Sequence, residues 1–264
     1  VDSISLGQTD LEMATKSEYQ MKESVLPADA TNKNLIWSSR DENIATVNKN
    51  GLITAHRYGK ATITATAADG SGVSASCTIQ TRFYDVNDPS KYYYQPVYWA
   101  ADNDITTGYD RIDFKPANDC TRREMMIFLW RLAGQPVSKV NPHTEFPSDS
   151  DLLAYAASSA TYKAVAWGIE NNITKGFPDG TFKPNDTVTR KDALIFLYRV
   201  KERPNVSGTI MFKDVINDDY LKTFKPTTDT YRAILWADAN GISKGYSDGT
   251  FKPWDNCQRE HIVT

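Results

Sequence analysis

The sequence holds 264 residues, 40% of them hydrophobic and 11% aromatic, with a net charge of −3 and a pI near 5.7. That length is too great for one small core and suits two to four compact units. The acidic balance excludes an electrostatic grip on nucleic acid or on an anionic bilayer, and no apolar run approaches the roughly eighteen residues of a membrane span. The first residues, VDSISLGQTD, lack the basic and then apolar layout of a signal peptide, and the chain reads as a piece of a larger protein.

From Val1 to about Thr81, short alternating segments are broken by turn residues, the pattern of a half-buried antiparallel sandwich. The clearest strands are Leu35 to Trp37, Ile44 to Val47, Leu52 to Ala55 and Ala61 to Ala67. Asn50-Gly51 is a hairpin signal because both residues accept positive φ, and Asp69-Gly70 marks another turn. Cys77 lies on an alternating pattern and reads as a small buried hydrophobe. His56, beside a turn and without a partner cluster, reads as solvated. Residues 1–81 resemble a group 2 bacterial Ig-like domain, most closely from Trp37 through Asn50-Gly51 to the strand after Gly59. The resemblance implies a spacer or adhesive sandwich with no chemistry of its own.

Beyond residue 82 the chain repeats. Ile173 to Asp192, ITKGFPDGTFKPNDTVTRKD, returns as Ile242 to His261, ISKGYSDGTFKPWDNCQREH, and in altered form as Ile105 to Glu124, ITTGYDRIDFKPANDCTRRE. Trp99, Trp167 and Trp236 precede the copies at nearly constant spacing, the mark of a repeated supersecondary unit. Each unit opens on a related phrase: Phe83-Tyr84-Asp85-Val86, Phe146-Pro147-Ser148-Asp149 or Phe212-Lys213-Asp214-Val215. A helical stretch carrying the tryptophan follows and ends at Asn103, Asn171-Asn172 or Asn240-Gly241, residues that tolerate the left-handed position closing a helix. The tryptophans are expected in the core.

Next come Gly108, Gly176 and Gly245, then tight turns at Asp179-Gly180 and Asp248-Gly249, then Phe114, Phe182 and Phe251 as inward anchors. The acidic turns lack the alternating oxygen series of an EF-hand, so no metal is expected. The second helix of each unit starts at Thr121-Arg122-Arg123-Glu124, Thr189-Arg190-Lys191-Asp192 or Gln258-Arg259-Glu260-His261. Thr121 with Glu124 spells a capping box, and Thr189 with Asp192 a shorter version.

Arg122, Arg190 and Arg259 are less simply explained, since a cation in the first helical turn faces the positive end of the macrodipole at a cost of up to about 1 kcal/mol. Persistence in three copies points to an anionic partner. Helix-start amides with a guanidinium make a carboxylate or phosphate receptor; the alternative is an ion pair to an acid of a neighbouring repeat.

On the strength of FYDV and FKDV, the two GxxDGTFKP stretches and the Thr-Arg-Arg-Glu phrase, residues 83 to 264 resemble three S-layer homology repeats, with boundaries at 82–141, 142–206 and 207–264. The fold expected is therefore multidomain: an all-β Ig-like sandwich followed by a mainly α, pseudo-trimeric, three-pronged unit. The resemblance implies grooves between prongs that bind secondary cell-wall polymer through the carboxylate of a pyruvate ketal. Arg122, Arg190 and Arg259 fall on the family's motif arginine, and Lys175, Lys244, Gly176 and Gly245 match its groove-lining loop. Departures are Thr107 and Arg111 in the first copy and Gln258 and His261 in the third, and they leave the three sites unranked. The third copy stops at Thr264, a few residues into its second helix.

The function implied is non-catalytic anchoring of a larger Gram-positive surface protein to the cell wall or S-layer, with an anionic wall glycan as partner and no cofactor. A structural or host-contact protein without glycan binding is an alternative. A carbohydrate-active enzyme is a second, against which the repeated acids at caps and turns and the scattered His56, His143 and His261 both argue. Cys120 and Cys257 occupy equivalent positions, and whether they are joined is left open.

Overall fold

The computed structural model describes residues 1–216 and 228–264. These form two compact units, Val1–Gln95 with Thr107–Pro116, and Pro96–Thr106 with Ala117–Thr264.

The first unit is built on strands β1 (Ser3–Leu6), β2 (Asp10–Ala14), β3 (Glu18–Gln20), β4 (Glu23–Leu26), β5 (Leu35–Ser39), β6 (Ala45–Val47), β7 (Leu52–Ala55), β8 (Gly59–Ala67) and β9 (Ser74–Arg82). One sheet runs β2-β9-β8-β5 and a second β3-β7-β6, with β1 and β4 paired apart. β2 joins β9 in parallel, with Asp10 opposite Thr78. The alternation read in β8 buries Ala61, Ile63, Ala65 and Ala67, and Ile53, Cys77 and Ile79 are fully buried with them. The hairpin expected at Asn50-Gly51 forms: Asn48 N–H donates to Leu52 O and Gly51 N–H to Asn48 O, both at 3.0 Å. His56 is half-buried rather than solvated, because its Nε2 shares a 2.8 Å hydrogen bond with Thr46 Oγ1.

This unit also takes in the opening phrase and turn of the first repeat. Phe83 stacks on Tyr58 at 4.6 Å between centroids. Asp85 accepts from the amides of Phe114 at 2.8 Å and Lys115 at 2.7 Å.

The described helices are α1 (Tyr94–Asp102), α2 (Arg122–Leu132), α3 (Pro142–Glu145), α4 (Ser150–Leu153), α5 (Ala160–Glu170), α6 (Arg190–Val200), α7 (Lys213–Ile216), α8 (Asp229–Ala239) and α9 (Arg259–Val263). The residue before each second helix closes a ring: Cys120 N–H donates to Cys257 O at 2.8 Å, Val188 N–H to Cys120 O at 2.8 Å, and Cys257 N–H to Val188 O at 2.9 Å. Single β-bridges flank it, Asp119 with Gln258, Thr121 with Thr187 and Thr189 with Asn256. Three short extended segments thus satisfy one another's backbone groups in a closed cycle, which is the pseudo-trimer in hydrogen-bond form.

Helices pair across repeats: α5 packs on α2 and α8 on α6, so a second helix is covered by the first helix of the next repeat. Phe114, Phe182 and Phe251 are buried as expected. Trp167 is buried and Trp236 half-buried, but Trp99 is 55% exposed, correcting the expectation of a core tryptophan there. In α1 the buried residues are Val97, Tyr98, Ala100 and Ala101, so Trp99 lies on the outward side of its helix.

Candidate functional site

The three second helices begin where the repeats meet. Thr121 makes the expected capping box: its Oγ1 accepts from Glu124 N–H at 3.3 Å and its own N–H donates to Glu124 Oε2 at 2.8 Å. Thr189 accepts from Asp192 N–H at 3.4 Å. In the third copy Gln258 N–H donates to His261 Nδ1 at 3.3 Å.

The first amides of these helices are not open to an anion. Arg122 N–H donates to Asp186 O, Arg190 N–H to Asp255 O and Arg259 N–H to Asn118 O, at 2.9, 2.9 and 2.8 Å. Arg123 and Lys191 give their amides to Pro184 O and Pro253 O, both at 3.0 Å. The receptor expected from helix-start amides is therefore absent at the described helices. Carbonyls of an adjacent repeat's Lys-Pro turn fill the role, because cyclic closure brings that turn against the helix start.

The guanidinium groups meet three different surroundings. Arg122 is buried, its Nε donating to Phe182 O at 2.9 Å and its guanidinium lying 4.4 Å from the Phe177 ring centroid and 5.0 Å from that of Phe182. It lines a cavity of about 300 Å³ together with Lys175, Gly176, Lys191, Asp192 and Arg199. Lys191 pairs with Asp192 at 2.7 Å, and Arg199 with Asp229 at 2.7 Å. Arg122 and the exposed Lys175 are thus left as the positive groups of the cavity without an ion pair to an acid among the described residues. Burial pulls the Arg122 pKa down, and the charges of Asp192, Asp186 and Asp149 oppose that pull.

Arg190 is half-buried, with Nε on Phe251 O at 2.8 Å and Nη2 on Ser243 Oγ at 3.2 Å. It lines a second cavity, of about 180 Å³, with Ser243 and His261. Lys244 and Gly245, expected beside it, are not part of that wall.

Arg259 is 2% exposed and its Nη1 donates to Glu124 Oε1 at 2.7 Å. This is the internal ion pair with a neighbouring repeat, so Arg259 does not stand ready for an outside anion.

The turn acids are structural. Asp179 accepts from Thr181 N–H and Oγ1, and Asp248 from Thr250 in the same manner. No group of metal-ligating side chains is present among the described residues. Cys120 and Cys257 are free thiols, and burial raises both pKa values, that of Cys257 to about 11.

Sequence reasoning missed Lys191 and Arg199 in the first cavity. It also passed over the aspartates of the opening phrases: Asp149 accepts from the amides of Phe182 and Lys183, and Asp214 from those of Phe251 and Lys252, as Asp85 does in its own turn. The recurrence of that acid in every copy was the available signal.

A family model for the group 2 bacterial Ig-like domain matches residues 1–79, and one for the S-layer homology domain matches 82–126, 155–194 and 221–262. The chain is a group 2 bacterial Ig-like domain followed by three S-layer homology domains. Every arginine and lysine discussed above lies in an S-layer homology domain or in the helix leading out of one. These domains and the Ig-like domain are non-catalytic surface and anchoring modules.

An uncharacterized protein of Clostridium acetobutylicum is 40% identical over 79 residues, 30% of this chain and 18% of its own length. Two proteins of Acetivibrio thermocellus each match 59% of the chain: Cell surface glycoprotein 1 at 30% identity over 7% of its length, and Cellulosome-anchoring protein at 27% identity over 33%. The chain thus spans a third or less of the length of these relatives. No described helix is long and apolar enough to cross a membrane.

Proposed function

We propose that this chain anchors a larger protein at the bacterial cell surface by holding an anionic cell-wall glycan in the cavity between its first two S-layer homology domains. The observation that carries the reading is the pairing of Arg122, from one domain, with Lys175, from the next, on one cavity wall. Its volume of about 300 Å³ admits a sugar ring, and both cations face a space whose single lining acid among the described residues is bonded to Lys191. A pyruvate ketal supplies the matching chemistry, a carboxylate fixed rigidly to a sugar, so the secondary cell-wall polymer is the ligand proposed. The two Acetivibrio thermocellus relatives, a cell surface glycoprotein and a cellulosome-anchoring protein by name, agree with a surface-anchoring role. Other domains of the parent protein are the cargo.

The test is cosedimentation with purified cell walls, before and after mild acid removes pyruvate. Lys175→Ala is the informative variant because Lys175 lines the cavity and is exposed. The expected result is affinity reduced about tenfold, the loss of one charge-assisted contact, with the melting temperature unchanged. Binding that ignores both the acid treatment and the substitution refutes the reading.

A further inference from the structure

The helix pair α2 with α5 and the pair α6 with α8 follow one plan where the second helix of a repeat ends. Trp130 Nε1 donates to Pro136 O at 2.9 Å and the Tyr198 hydroxyl to Pro204 O at 3.1 Å, each reaching the prolyl carbonyl six residues on. Gln135 and Arg203, the residues before those prolines, hold φ of +58° and +55°. The N-caps Ser159 and Thr228 set α5 and α8 in the same register, so Ser138 corresponds to Val206 and Ala166 to Leu235. Val206 and Leu235 belong to the apolar cluster of their pair. The first pair has a hydroxymethyl and a methyl group in those places, and a cavity of about 360 Å³ lies beside them. Two further differences at the wall do not account for the space: Trp130 is larger than Tyr198, and Gln135 stands where Arg203 is drawn away to Asp229 at 3.4 Å.

The wall is mixed in character. Trp130 is buried, and because its indole N–H is bonded to Pro136 it offers carbon surface alone. The Tyr162 ring is met edge-on by His143 at 5.0 Å, and its hydroxyl donates to Asn141 Oδ1 at 3.1 Å, leaving the oxygen to accept. Ser138 Oγ accepts from Val140 N–H at 3.1 Å, leaving its O–H to donate. Gln135 and Lys163 add an amide and an ammonium, and no acid lines the cavity among the described residues. A cation finds no counter-charge there, and a purely apolar guest would strand the hydroxyls.

We propose that this cavity is a second binding site, for a neutral N-acetylated sugar. The C–H face of a pyranose matches the Trp130 and Tyr162 rings, its hydroxyls match Ser138, Gln135 and Lys163, and the acetamido methyl takes the volume that Leu235 fills in the other pair. No lining residue is shared with the cavity of Arg122, so the inference does not rest on the anionic-glycan reading.

The test is titration of the ¹⁵N-labelled chain with N-acetylglucosamine and N-acetylmannosamine, followed at the assigned indole N–H of Trp130. A saturable shift with a dissociation constant of about 1–10 mM is expected, at least tenfold weaker for glucose, which lacks the acetamido group. Ala166→Leu with Ser138→Val restores the side chains of the second pair and should weaken binding at least tenfold without lowering the melting temperature. If Ala166→Leu disturbs the fold, Ser138→Val alone, at a half-buried position, gives the reading. Lys175→Ala should leave the indole shift unchanged, which keeps this site apart from the first. Peptidoglycan and secondary polymer both carry such sugars, and cosedimentation with walls before and after hydrofluoric acid strips the polymer tells them apart: weaker binding of the filled variant to stripped walls assigns the site to peptidoglycan, and weaker binding to intact walls alone assigns it to the polymer. Absence of a saturable shift below about 100 mM, equal binding of glucose, or a filled variant that binds like the unaltered chain overturns the proposal.

Discussion

Gly176 and Gly180 allow the groove-lining loop to be tested with one chemical change made at two places. Both hold positive φ, +69° and +75°. An alanine at either pays the same left-handed penalty, roughly 1–2 kcal/mol. They differ in surroundings: a Cβ at Gly176 would lie 2.4 Å from Phe146 Cε1 and 2.5 Å from Thr181 O, whereas one at Gly180 meets nothing within 4 Å. Phe146 is buried and the Thr181 carbonyl belongs to the turn backbone, accepting from Phe177 N–H at 2.7 Å, so neither yields cheaply. Overpacking of this kind adds about 1–3 kcal/mol. At about 2–4 °C per kcal/mol for a unit of this size, Gly180→Ala should melt about 2–8 °C low and Gly176→Ala about 2–12 °C lower still. Circular dichroism at 222 nm follows the helical unit and reads the difference directly. Gly176→Ala should also weaken wall binding, since relieving the contact moves the loop that carries Lys175. Equal melting shifts for the two variants would refute the steric argument and leave only backbone strain.

Three further outcomes are expected. Thr121→Ala removes the capping hydroxyl and should lower the melting temperature by about 2–4 °C for a cost near 1 kcal/mol; an unchanged melt would mean that the Asp186 and Pro184 carbonyls alone hold the helix start. Burial alone would raise the pKa of Asp229, but the hydrogen bond and charge of Arg199, with Arg203 behind it, outweigh that and hold the carboxyl below its usual range. Its contribution to stability is therefore present above the unfolded value of about 3.9 and lost as pH falls through the lower folded value, so the melting gap between the unaltered chain and Asp229→Asn should close on acidification; a gap constant with pH contradicts it. Iodoacetamide at pH 8 should leave Cys120 and Cys257 unmodified in the folded chain and alkylate both after denaturation, as intact mass reports; prompt native labelling would contradict their burial.

Much of the fold was legible because it is written in local patterns. Alternation marked β8, Asn50-Gly51 marked the β6–β7 hairpin, and Thr121 with Glu124 marked the start of α2, each a matter of a few neighbouring residues. What could not be read is the pairing of non-neighbours that cyclic closure imposes. No periodicity says that the turn ending at Asp186 will present its carbonyls to α2, or that the one ending at Asp255 will present its own to α6. That omission reverses the argument about the arginines. A cation at a helix entrance looked unexplained without an outside anion, yet carbonyls of the adjacent repeat accept from Arg122 and Arg190, and Glu124 accepts from Arg259. Triplicate retention is thus accounted for by assembly of the repeats. On the proposed reading, recruitment of a ligand is then a property of the individual cavity and not of the motif, and the cavity to test is the one where the guanidinium lines open space beside a second cation and the lining acid is paired with a lysine, which is the arrangement around Arg122, Lys175 and Asp192.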